Sequence, residues 1–324
     1  MQRTLMRTSL ALALAGSFAG CDGGGGNDAG TDSGPPVDAG EVRLCPTTRT
    51  PAPEELMGAC CWRNSNENQL DTPEFRIAYI AITEPEGSQL TTMTVRGLLN
   101  EAMQEERFNW LFRVENAGAD GAISIVTGYG RRDDATGLYA FSSGAASSDP
   151  DTWCPVTLDG TLAGETVNAT PIDGTITVPV FDETGTNLQI ELALRNISIV
   201  DGLMSESRSC VGSKTNRPFT YDPAATLQGF IDVATARTQT LMVGTVNTSV
   251  CAAIAGSLTD PTYCDTTPQT MWTTKPDSLC DAAGCTQNAA GMTDVCDPDT
   301  TCNGWRFSAD FAAAGVDITN GACP

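Results

Sequence analysis

Between residues 108 and 200 apolar side chains recur at every second position, and this period limits the chain to β structure there. Phe108, Trp110, Phe112 and Val114 alternate with Asn109, Leu111, Arg113 and Glu115. Ile123, Ile125, Thr127 and Tyr129 share one face of a strand over 122–129. Further strands are predicted at 137–142, 156–163, 166–170 and 174–181, then a long one over 187–200. In that strand Leu188, Ile190, Leu192 and Leu194 keep the period, which then slips by one to Ile197 and Ile199. A β-bulge near Arg195 and Asn196 produces such a slip. Asp159-Gly160, Asp173-Gly174 and Asp201-Gly202 are turn signals between the runs. Phe75–Ile82, Leu227–Val233 and an alternating run from Trp305 to Ala313 add three strands, the last returning to the main sheet. The fold class expected is mainly β, an antiparallel sandwich or barrel-like body.

One helix breaks the pattern. Over 89–106, Val95, Leu98, Leu99, Ala102 and Met103 make a single apolar stripe, with Ser88, Thr91 or Thr92 as the cap. Shorter helices are expected at 234–243 and 248–256. From Cys251 apolar runs thin out, while seven of the 13 cysteines fall between Cys251 and Cys323. Such a tail cannot build much core and needs staples.

The first twenty residues carry Arg3 and Arg7, then the apolar run Leu10–Gly16, then Ser17-Phe-Ala-Gly-Cys21. A short basic and apolar leader is an export signal. Small residues before a cysteine resemble a bacterial lipobox, whose cysteine takes a diacylglycerol and becomes the mature N-terminus. The alternative is cleavage by ordinary signal peptidase, with Cys21 paired elsewhere. Lipidation of Cys21 leaves twelve cysteines, an even number that reads as six disulfides: Cys45, Cys60, Cys61, Cys154, Cys210, Cys251, Cys264, Cys280, Cys285, Cys296, Cys302 and Cys323. Adjacent Cys60 and Cys61 are expected to reach two different partners, and the next shortest separations, Cys280 to Cys285 and Cys296 to Cys302, suggest local pairs.

Residues 21–44 form an acidic Gly-rich tether with almost nothing to bury, expected to be disordered and to span about 25 Å. Residues 45–324 then form one β-rich body, with the Cys-rich tail from 251. A lipobox cysteine, a Gly/Asp/Pro tether and a Cys-rich body resemble the surface lipoproteins abundant in myxobacteria. The likeness covers the first 44 residues and the style of the tail, and it implies no activity.

Composition narrows the function. The chain has 18 basic and 40 acidic residues and no histidine, a net of −22. Without Arg3 and Arg7 the mature chain has 16 basic residues against 40 acidic, a net of −24. Nucleic acid is excluded as a partner, since phosphates are bound by Lys and Arg. Histidine-based triads and His-ligated metals are excluded with the residue. Ser213-Lys214 would point to opposite faces of a strand. Glu84, Glu86, Asp133, Asp134, Asp182 and Glu183 are the carboxylates available for hydrolysis, and all read as turn chemistry. Cys280 and Cys285 have a zinc-like spacing but no second pair, so they read as a disulfide-closed turn. Asp299–Asp310 superficially fits a calcium loop, but the alternation from Trp305 makes its second half a strand. Trp62, Trp153, Trp272 and Trp305 lie near cysteines and read as core, with a sugar-binding platform as the alternative. No cofactor and no metal are expected. The function expected is a non-catalytic binding or structural role in the cell envelope, lipid-anchored outside the cytoplasmic membrane or on the outer membrane, with a protein, glycan or ion as ligand. The alternative is a carboxylate-dependent hydrolase such as a glycoside hydrolase.

Overall fold

The computed structural model describes residues 70–319, apart from 134, 144–152, 172–173, 183–186, 215–220, 244–245 and 289–292. The leader, Cys21, the tether, Cys45, Cys60, Cys61, Trp62, Asp134, Glu183 and Cys323 lie outside the described residues. The alternating segments form strands β1 (Glu74–Glu84), β2 (Trp110–Glu115), β3 (Gly121–Arg132), β4 (Val156–Ala163), β5 (Thr166–Ala169), β6 (Thr175–Phe181), β7 (Leu188–Leu203), β8 (Ala225–Asp232) and β9 (Gly304–Gly315). Each pairs antiparallel with its sequence neighbour, except that β5 and β6 follow each other along β7. The last strand then pairs with the first, with Ile80 opposite Phe311. The sheet therefore closes into a meander barrel of eight positions.

Closure decides what the alternation means. Inward positions bury Phe75, Ile77, Trp110, Phe112, Ile125, Leu158, Leu194, Leu227, Phe307 and Phe311. Outward positions on β4 and β9 carry Thr157, Asp159, Thr161, Arg306 and Asp310. Among the described residues the interior holds two small gaps of about 30 and 20 Å³, both lined almost wholly by apolar side chains. Phe75, Ile125, Val167, Ile199 and Phe311 meet around the first, so opposite walls pack on each other as sandwich layers do.

The predicted slip in β7 is present: Asn196 has φ +48° and the register against β8 shifts beside it. A second shift in β1, between Ile77 and Tyr79, moves the inward phase to Ile80 and Ile82. Beyond that point β1 has no strand on its β2 side, because the two pair only over Glu74–Arg76. Helix α1 (Met93–Gln104) lies there instead. Thr92 caps it, and Val95, Leu99, Ala102 and Met103 are its buried stripe. Asn100 takes the place of the missing strand: its amide donates to the Ile80 carbonyl at 2.8 Å and accepts from the Ile80 N–H at 3.1 Å.

The helix expected at 234–243 is shorter than that. It covers Val233–Thr238 and gives way to a strand, Thr240–Val243, that hairpins with Val246–Ser249. Leu241 also bridges to Ile190 of β7, so pairing partners override the local preference. Helix Val250–Ala255 follows as expected. The tail is an elaboration inserted between β8 and β9. Cys251–Cys264, Cys280–Cys285 and Cys296–Cys302 are bonded, and Cys154 and Cys210 are also in disulfides. Trp272 of the tail stacks on Trp305 of β9 at 5.8 Å.

Candidate functional site

Helix α1 ends in a turn that carries charge. The Arg107 N–H reaches the Ala102 carbonyl at 2.8 Å, and the Glu106 N–H reaches Met103 at 3.2 Å. This pair of bonds is the Schellman closure, in which the left-handed residue is usually glycine. Here it is Glu106, with φ +60°. A β-carbon in that conformation costs about 1 kcal/mol or more, so the side chain must be useful. Its carboxylate binds Arg132 at 2.9 Å. Glu105 next to it binds Arg107 at 2.7 Å, and Arg107 also donates to the Phe181 carbonyl at 2.9 Å.

These residues surround the largest opening described, a cleft of about 460 Å³ at the barrel rim. Gln104, Glu105, Glu106, Arg107 and Asn109 come from the helix end, Tyr129, Arg131 and Arg132 from β3, and Phe181 from β6. Arg131 is exposed, and its guanidinium lies 5.8 Å from the Tyr129 ring centre and 5.6 Å from that of Phe181. Those two rings are buried and packed with Trp153. Below the floor, fully buried Arg76 donates to Asn109 Oδ1 at 2.5 Å and to the carbonyls of Met103 and Phe108. Among the described residues, three guanidiniums and two carboxylates line the cleft, with a fourth guanidinium beneath. Glu105 and Glu106 are chain neighbours, each closed by an arginine, so neither is set up as the opposed acid and base of a hydrolase.

The carboxylates singled out from sequence are elsewhere. Asp133 accepts from the Ala135 N–H and from Thr136 in a tight turn, and these bonds hold its carboxyl below the usual range. Asp182 holds Asn187. Glu84 pairs with Arg306 at 3.0 Å, and Glu86 is exposed. Strand β9 begins at Gly304, Asp310 lies on it bonded to Thr226, and Asp299 pairs with Lys275. Among the described residues no group of three potential ligands is placed to hold a metal. Trp110, Trp153, Trp272 and Trp305 are all 6% exposed or less, so none of these four is a sugar platform. No protein-family model, curated protein or solved structure matches the chain.

A second charged cluster is sealed outside the barrel wall. Glu74 pairs with Arg113 at 2.6 Å and accepts from the Ile318 N–H at 2.8 Å. Asp317 stands beside it with Oδ1 buried and without a hydrogen-bond partner. Burial, and then the charge of Glu74, push the Asp317 carboxyl up to about 6. The folded chain thus holds this proton more tightly than the unfolded one. Ionised Asp317 costs stability in full above about pH 6, and that cost fades as pH falls toward 3.8. Asp317→Asn should raise stability by about 1–2 kcal/mol at pH 8, discounted for partial exposure, and by little near pH 4. Urea unfolding at the two pH values is the measurement. An equal effect at both would show that the charge is not the cause.

Proposed function

We propose that the chain is an exported, lipid-anchored, non-catalytic binding protein of the cell envelope. Cys21 carries the lipid, and the acidic tether holds the barrel off the headgroups, on the outside of the cytoplasmic membrane or on the outer membrane. The observation that carries the binding reading is the rim cleft of about 460 Å³, where arginines converge outside a barrel whose described interior is lined by buried apolar side chains. The eight described cysteines, all in disulfides, fit an oxidising compartment.

Export and anchoring are tested together. Mass spectrometry of the mature protein should find a lipid-modified N-terminal Cys21, and Cys21→Ser should move the protein from the membrane fraction to the soluble one. A single acyl chain holds weakly, whereas a diacylated cysteine stays bound. A mature N-terminus at any other residue refutes the anchor.

A further inference from the structure

We propose that Val316–Thr319, which follows β9, is an acid-latched strap on the outer wall of the barrel: it lies down while Asp317 is protonated and is released when Asp317 ionises, uncovering Leu111, Tyr139 and Phe141. The strap is held on two sides. On one it bridges in parallel to the short strand Tyr139–Phe141, which pairs with β3. The Tyr139 N–H donates to the Asp317 carbonyl at 2.9 Å, and the Thr319 N–H donates to the Tyr139 carbonyl at 2.8 Å. On the other side the Val316 N–H donates to the Glu74 carbonyl at 3.1 Å, and Arg113 donates to the Ile318 carbonyl at 2.7 Å. Val316 and Ile318 are buried against Leu111, Tyr139 and Phe141, a small apolar group separate from the barrel core.

One carboxylate is built into this contact and a second is not. Buried Glu74 has a donor on each oxygen, Arg113 on Oε1 and the Ile318 N–H on Oε2. Asp317 feels the same charge, and its Oδ1 is buried with no donor. Among the described residues, the elements around the strap also bring Arg76 from β1, Arg113 and Glu115 from β2, Arg132 at the end of β3 and Asp133 after it. Arg113 is bound to Glu74, Arg76 to Asn109, Arg132 to Glu106, and Asp133 closes its own turn. A neutral carboxyl suits the place of Asp317, whereas an ionised one has burial and Glu74 against it. Once the strap is released the carboxyl stands in water, gives its proton to solvent and returns to its ordinary value of 3.8, from about 6 when docked. Opening is therefore rarest below about pH 4, grows as pH rises toward about 6 and is level above that. It gives up only the contacts of the strap, so it costs less than unfolding the barrel.

The test is amide hydrogen exchange of the intact protein at about pH 4.5 and about pH 7.5, corrected for the intrinsic exchange rates. The amides of Tyr139, Ile318 and Thr319 should open more often than those of β3 and β4 at both values. Their opening constant should be about tenfold larger at the higher pH, the full shift being discounted for partial exposure. Asp317→Asn keeps the shape of the side chain and removes its charge, so it should abolish that rise while the strap still opens before the barrel. The proposal is overturned if the strap amides exchange only together with those of β3 and β4. It is overturned equally if the parent shows no rise with pH, or if the same rise persists in Asp317→Asn.

Discussion

Trp110→Ala should cost about 3–5 kcal/mol, enough to consume a large part of the stability of an ordinary domain. Trp110 is wholly buried on β2. It stacks on Phe112 at 6.1 Å and lies 6.5 Å from Phe108, under the stripe of α1. Its Nε1 donates to Thr127 Oγ1 at 2.8 Å, so its one polar atom is satisfied inside the barrel. A gap of only about 20 Å³ lies beside it, and its strand pairs with β3 at Trp110 itself and with β1 from Leu111 onward. A closed wall relaxes poorly, so most of the removed volume should remain as a void, which is the costly case. Trp110→Phe keeps most of the ring and should cost about 1–2 kcal/mol. Guanidinium unfolding should show a lower midpoint with an unchanged slope. A loss under about 1 kcal/mol for the alanine variant would mean that the barrel collapses around the site.

The same wall explains which features could be read from residues alone. The bulge at Asn196 was legible because Leu194 and Ile197 are both apolar and three apart, which breaks a period of two. The bulge in β1 was not, because Ala78 is itself apolar and Phe75–Ile82 has no clear period to break. Closure was also hidden. Alternation says which side of a strand is buried and nothing about its partner, so it does not separate sandwich from barrel, whereas the pairing of Ile80 with Phe311 does. The turn role of Asp133 followed from its residue type, while the Glu84–Arg306 pair needed β1 and β9 to be neighbours. The cleft was the least accessible feature. Residues 104–109, 129–132 and 181 are far apart in the chain and meet only because β3, β6 and α1 converge at one rim. Its one local signal was the doublet Arg131-Arg132 in a chain where cations are scarce.

Arg76 illustrates the same blindness with the larger consequence. It sits in an apolar run, Phe75-Arg76-Ile77, where a cation reads as the wet side of a strand. The position does face outward from the barrel, but it is 0% exposed, because the end of α1 lies across it. Its guanidinium gathers Asn109 Oδ1 and the carbonyls of Met103 and Phe108. The Met103 carbonyl belongs to the last turn of the helix, where partial negative charge accumulates, so a cation is favoured there. Asn109 in turn donates to the Glu106 carbonyl at 2.9 Å, which links Arg76 to the turn that forms the cleft. Arg76 also opposes the upward push that burial exerts on the Tyr221 hydroxyl. Arg76→Leu fills comparable space but leaves these buried acceptors without their donor. The expected cost is about 3–5 kcal/mol, from three buried acceptors each left unsatisfied at about 1–3 kcal/mol and partly offset by the charge no longer buried. Arg76→Lys keeps a charge but offers a point donor where a fork is needed, and should cost about half as much. Urea unfolding measures both. The leucine variant should also lose protection of the amides of residues 105–109 in hydrogen exchange, because the helix end is no longer held to the wall. A leucine variant within about 1 kcal/mol of the parent would show that water replaces the guanidinium at this site.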